Sequence, residues 1–172
     1  IQYSLPKWLV DHWVTHYGLE QTEAIAQSFL EPVATTVRAN ITRGSIDNII
    51  SALEKENYTV ERDDVLPFCL HISGKPIVNS RAFKDGLVSI QGKSSMFVAH
   101  IMGLNRDDSV LDACSAPGGK ACHIAEILSP EGHVDATDIH DHKIKLIDFN
   151  IRKLRLKNIK AYQHDATKLY NN

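Results

Sequence analysis

The stretch Val110-Leu111-Asp112-Ala113-Cys114-Ser115-Ala116-Pro117-Gly118-Gly119-Lys120-Ala121-Cys122-His123-Ile124-Ala125-Glu126-Ile127-Leu128 decides the fold. Val110, Leu111 and Ala113 form a short apolar run, the length of a buried strand. Ala116-Pro117-Gly118-Gly119-Lys120 is a turn, because glycine and proline punctuate regular structure. Ile124, Ile127 and Leu128 then recur at helical spacing. Strand, glycine turn and helix start make the first half of a βαβ unit, and ligands of open parallel sheets sit outside the carboxyl ends of such strands. Two more strands follow at 133–137 and 159–163, separated by a helix over about 141–156. The pattern predicts the βαβαβ half of a doubly wound sheet, in strand order three-two-one.

Known glycine fingerprints narrow the ligand. The dinucleotide turn needs Gly-x-Gly-x-x-Gly, but Gly118 and Gly119 are adjacent. The phosphate loop needs Gly at position 114 and Ser or Thr at position 121, where this chain has Cys and Ala. Asp138 follows the second strand, where a carboxylate takes a ribose hydroxyl pair, and Asp165 follows the third. One glycine turn with two strand-end carboxylates suits a nucleoside without phosphate, such as S-adenosylmethionine. Asp112 is a candidate for its sulfonium or methionyl amine. Lys120 is one for its carboxylate or for an RNA phosphate.

Leu111 to Lys120 resembles the first cofactor motif of the RNA cytosine-5 methyltransferases. Arg38-Ala39-Asn40 and Asp85-Gly86-Leu87-Val88-Ser89-Ile90-Gln91 extend the resemblance towards the Sun/Fmu/RsmB branch, from about Ser4 to Asp165. The chain departs at Ala121, where Thr is common, and at Gln91-Gly92, where Gln-Asp is common. The resemblance implies methylation of small-subunit ribosomal RNA. The expected cofactor-binding residues are Cys114, Ser115, Ala116, Pro117, Gly118, Gly119, Lys120, Asp138 and Asp165. The family's catalytic cysteines, in a Pro-Cys and a Thr-Cys motif downstream of the third strand, are expected beyond Asn172. The 172-residue piece alone is therefore expected to be inactive. The alternatives are a non-catalytic cofactor- and RNA-binding module, and a methyltransferase with another substrate.

Three segments are expected: N-terminal helices over 1–32, a small α+β domain over 33–92, and a partial Rossmann-like cofactor domain over 93–172. Ser4 and Pro6 open a first helix that Gly18 ends, and a second covers about Gln21 to Phe29, closed by Pro32. Val33, Thr35, Val37 and Ala39 alternate as a strand. Ser45 caps a helix with Ile46, Ile49, Ile50 and Leu53 inward. Strands follow at 58–62, 68–72 and 87–90, and a helix starts at Ser94. The resemblance implies an RRM-like, RNA-binding fold for 33–92; the pattern alone gives mixed strands and a helix.

Hydrophobic residues make up 43% of the 172 and charged residues 23%, an ordinary globular balance. A net charge of -2 gives no general basic surface, so nucleic-acid contact must be local. An odd three cysteines argue against a disulfide framework, and no run is long enough to span a membrane. A cytoplasmic protein is the expectation. Cys114 reads as a small residue buried at a strand end, and Cys69 and Cys122 as core. His123, His133, His140 and His142 fit no zinc spacing, so no metal is expected. The basic residues from Lys143 to Lys160 read as a solvated face or an RNA contact. Arg38 and Asn40 either touch RNA or hold a turn between domains.

Overall fold

The computed structural model describes residues 3–31, 34–128 and 130–169; Pro32 and Val33, read above as a helix stop and a strand start, lie outside them. Residues 1–34 and 35–172 form two compact units.

The first unit is α1, Lys7–Ser28, interrupted at Gly18, whose φ of 78° and ψ of 168° are not helical. The sequence places the break correctly, because glycine alone takes this backbone without strain. The cap differs. Pro6, not Ser4, sits at the N-cap in extended backbone, and no side chain caps the helix. Thr22 and Ala26 are its buried residues, and the Trp13 and Phe29 rings lie 6.1 Å apart.

The second unit holds two sheets. The first has β1 (Thr35–Ala39), β2 (Thr59–Arg62), β3 (Cys69–Ser73) and β4 (Val88–Ile90), with α2 (Ile46–Lys55) after β1 and α3 (Arg81–Lys84) before β4. Its strand order is β2-β3-β1-β4, all antiparallel, so the chain runs βαββαβ. That is the ferredoxin-like arrangement. Ser45 accepts from the Asn48 amide, as its position before an apolar helix predicts. Val37, Ala39, Leu70, Ile72 and Val88 pack with Ile49 and Leu53 of α2 into one core. Alternation sends Arg38 and Cys69 to the opposite face.

The second sheet is parallel, in the expected order: β5 (Ser109–Asp112), β6 (His133–Asp138), β7 (Ile159–Gln163). Helices α5 (Gly119–Ile127) and α6 (Asp141–Leu154) connect its strands, and α4 (Lys93–Ile101) precedes it. Gly92, not Ser94, stands at the N-cap of α4. β6 is buried almost throughout, as a central parallel strand must be. β5 is an edge strand, and its Leu111 is 43% exposed. No helix among the described residues is long and apolar enough to cross a membrane.

Candidate functional site

The carboxyl ends of β5, β6 and β7 open onto one edge, where three loops meet. After β5 the chain turns through 113–118. The Ser115 amide donates to the Thr137 carbonyl at 2.7 Å and the Gly118 amide to Ser115 at 2.7 Å. Gly118 has φ +97°, and a Cβ there would lie 3.1 Å from Cγ2 of Ile147 on α6. Glycine is thus needed twice over at 118, for conformation and for close packing. Gly119 differs: a Cβ there would meet nothing within 4 Å. That open space belongs to the cavity below.

Two cavities flank the turn. One, of about 270 Å³, is lined by Gln91, Ser95, Asp112, Ser115, Gly119 and Lys120 among others. Gln91 and Ser115 are 7% and 6% exposed, and Gln91 Nε2 and Ser115 Oγ have no partner among the described residues. Buried polar atoms are nearly always hydrogen-bonded, so two orphans in one cavity mark a place shaped for a polar ligand. The second cavity, of about 300 Å³, is lined by Asp138, Ile139, His140, Lys143, His164 and Asp165, with Ala113 and Thr167. Cys114 lines both. It is exposed, contrary to the buried strand-end residue expected, because the strand stops at Asp112 and the turn carries Cys114 outward.

Asp138 is the last residue of β6, and its Oδ1 accepts from the His140 amide at 3.1 Å. That bond, then Lys143 with Nζ 3.8 Å away, holds the carboxyl below its ordinary pKa. Asp165 is held below its ordinary value by the Thr167 hydroxyl at 2.7 Å and the Thr167 amide at 3.0 Å. Both carboxylates are therefore anionic acceptors on one cavity wall. Neither caps a following α-helix by its side chain: the N-cap of α6 is His140.

Behind the turn lies a group the sequence did not assemble. Arg38, on the far face of β1, donates to both carboxylate oxygens of Glu126 on α5, and its Nη1 donates to the Gly119 carbonyl at 3.0 Å and to Gln91 Oε1. Asn40 Nδ2 donates to the Gly86 and Leu154 carbonyls, at 3.0 and 3.1 Å. Of the two roles left open, these residues take the inter-sheet one: both are 1% exposed and beyond RNA's reach. His123 is buried edge-on against Phe68, ring centroids 4.7 Å apart. Burial first, then the Arg38 charge, pushes its pKa down to about 3. Burial also pushes the Cys122 thiol up to about 12 and raises that of Cys69.

Among the described residues, the one cluster of metal-type donors is Asp63, Cys69 and His71, within 4.8 Å of one another. Cys69 and His71 both stand on β3 and Asp63 follows β2, so the hairpin between the two strands brings the three together. The Asp63 carboxylate already holds a cation there, Lys93 Nζ at 2.6 Å, and accepts His71 Nε2 at 3.2 Å. Of the histidines grouped in sequence, His133 Nε2 bonds Asp135 at 3.0 Å, and the His140 ring lies tilted 5.5 Å from that of His142.

A 16S rRNA methyltransferase RsmB/F model matches residues 99–172, and a ferredoxin-like domain model of RsmF/B-like methyltransferases matches residues 5–79. The chain belongs to the RsmB/F methyltransferase family. Among RsmB/F relatives, the probable ribosomal RNA small subunit methyltransferase B of Bacillus subtilis is 38% identical over 165 residues, covering 96% of this chain and 37% of that protein. Its namesake from Synechocystis is 30% identical over 168 residues, covering 96% and 38%. The chain thus spans little more than a third of the length of these relatives. The solved structure of PH0851 superposes with a TM-score of 0.84 at 26% identity, over 97% of this chain and 38% of the other. That of NSun6 from Pyrococcus horikoshii with SFG gives 0.85 at 21% identity, over 96% and 67%, a likeness of fold.

Proposed function

We propose that this chain is the cofactor-holding part of an S-adenosylmethionine-dependent RNA cytosine-5 methyltransferase, acting on small-subunit ribosomal RNA in the cytoplasm. One observation carries the reading. Two cavities meet at Cys114, one lined by orphaned polar atoms and the other by the carboxylates of Asp138 and Asp165. That division suits a ligand with a zwitterionic tail and a nucleoside head.

The residues fit the cofactor. Asp138 accepts from the ribose hydroxyls, and Asp165 accepts from the base. Ser115, Ala116, Pro117 and Gly119 line the passage, and the bare Gly119 leaves room for the tail. Gln91 Nε2 and Ser115 Oγ satisfy themselves on its polar atoms. Lys120 pairs with the carboxylate, and Asp112 faces the amine. When bound, S-adenosylmethionine supplies the methyl group. No cysteine here is given the nucleophile's part, because Cys69 and Cys122 are buried as neutral thiols. Cys114 is a wall of the site. The same proposal divides the chain into residues 1–32, 33–92 and 93–172, with the middle segment as buttress to the turn.

Calorimetry of the chain with S-adenosylmethionine tests the reading. Binding is expected, with Asp138→Ala weaker by about ten- to a hundredfold, the worth of a hydrogen bond to a charged group. Neither a nicotinamide dinucleotide nor adenosine triphosphate should compete at equal concentration. No heat with S-adenosylmethionine, or unchanged affinity in a folded Asp138→Ala, overturns it.

A further inference from the structure

We infer that the outer stripe of α6, Lys145, Phe149 and Arg152, is a contact surface for single-stranded RNA. This rests on the RNA reading above and gives it a location. Charge is segregated in this chain. Residues 141–160 hold seven lysines and arginines against two aspartates, whereas the whole chain holds 19 against 21. The remainder holds 12 against 19 and is acidic, so the segment that carries α6 is where a polyanion meets net positive charge.

The geometry sharpens the point. Ile144, Ile147, Ile151 and Leu154 bury the inner side of α6. Lys145, Phe149 and Arg152 lie at i, i+4 and i+7 on the opposite side, all exposed. Phe149 is 59% exposed and its neighbour Leu146 51%. No ion pair engages Lys145 or Arg152 among the described residues, whereas Lys143 reaches Asp138 and Lys153 lies 3.9 Å over the Phe83 ring. An aromatic left in water between two free cations offers a ring to a base and charges to its flanking phosphates. The surface continues past the helix end. Arg155 and Lys157 rim a cavity of about 230 Å³ floored by Leu128, Pro130 and Leu156. At its other end α6 starts beside Asp138, and Asn150 donates to the Pro117 carbonyl at 2.8 Å. RNA lying on this helix is thus carried next to the site.

Fluorescence anisotropy of a labelled single-stranded RNA dodecamer with the chain is the test, over a series of salt concentrations. Lys145→Glu with Arg152→Glu should weaken binding at least tenfold and flatten the salt slope by about 1.4, at ~0.7 per phosphate contact. Phe149→Ala should weaken it by about five- to a hundredfold without changing that slope, while Phe149→Tyr binds as wild type. Lys55→Glu with Lys84→Glu, an equal charge change on α2 and α3, should behave nearly as wild type. Absence of RNA binding, or stripe variants that bind like wild type, overturns the inference. So does a Phe149→Ala that alters sedimentation of the protein and not RNA affinity, which would make the stripe a protein contact. The cofactor calorimetry is independent. Stripe variants that lose RNA beside a wild type that ignores S-adenosylmethionine leave this inference standing and sink the cofactor reading.

Discussion

Arg38 on β1 and Glu126 on α5 form a two-pronged ion pair, Nε to Oε2 at 2.8 Å and Nη2 to Oε1 at 2.7 Å, with both side chains 1% exposed. It joins the antiparallel sheet to the helix that begins at the glycine turn, and the third nitrogen of Arg38 reaches Gly119 itself. Burial pushes the Glu126 carboxyl upward in pKa against the pull of Arg38. The pair's value thus lies in satisfying each charge rather than in net attraction.

Removing one partner leaves the other charged and buried, at a cost of about 3–5 kcal/mol. Arg38→Met and Glu126→Leu should each lower the urea midpoint strongly, and the double variant should recover most of the loss. A double variant whose loss equals the two single losses combined would show that the pair is not coupled. Arg38→Lys should not rescue, because an ammonium cannot engage both carboxylate oxygens and Gly119 from one planar fork.

The glycines of the site separate stability from ligand binding. Gly118→Ala must hold a left-handed backbone and press on Ile147, and should cost about 1–2 kcal/mol for the backbone alone. Gly119→Ala should change stability by less than about 0.5 kcal/mol while weakening S-adenosylmethionine. Gly86→Ala should be the most damaging of the three, since its Cβ would stand 2.0 Å from the Lys153 carbonyl oxygen. Thermal melts and calorimetry on the three variants check the order. A stable Gly118→Ala with wild-type affinity would contradict the account of the turn.

His123 makes the fold sensitive to mild acid. Its folded pKa of about 3 lies below the ordinary 6.5, so as pH falls the unfolded chain takes the proton first. The stability tied to neutral His123 is complete above pH 6.5 and is lost as pH falls towards 3. Between pH 7.5 and 5.5 the loss from this group is about 1.4 kcal/mol. Urea unfolding at both pH values should show that difference between wild type and His123→Leu. An identical pH dependence in the two proteins would remove His123 as its cause.

The strand, turn and helix at 109–128 were legible because glycine and proline punctuate them, and Ser45 because a hydroxyl before an apolar helix is a local signal. The strand order followed from the alternation of strands and helices. Arg38 with Glu126 was not legible as a pair, since 88 residues separate them and nothing local in sequence links the two. One sign was there: Ala121 to Glu126 are all buried, and a glutamate in so apolar a helix needs a cation. The short 3₁₀ turn Ile77–Asn79 and α3 carry too few residues for a periodic signal. The exposure of Cys114 depends on where a turn points, which residue type does not encode.

The covered face of the antiparallel sheet bears on how this chain folds. In RNA readers of this architecture the central strands offer an open face with aromatics for bases. Here that face is given over to Arg38 and to Cys69, which packs with Leu66 and Met96. Until the second sheet docks, β1 carries a charge with no partner; until the first docks, α5 does too. Neither sheet is a resting point on the way down, so residues 35–169 have reason to melt in one step. The protecting free energies of amides in β3 and β6 should then coincide, and a gap of several kcal/mol between them would reveal two independent melting units. The pair joins positions far apart in sequence, and such contacts form only after a large loop has closed. Its formation is thus a late event, the moment at which two nascent sheets become one cooperative body.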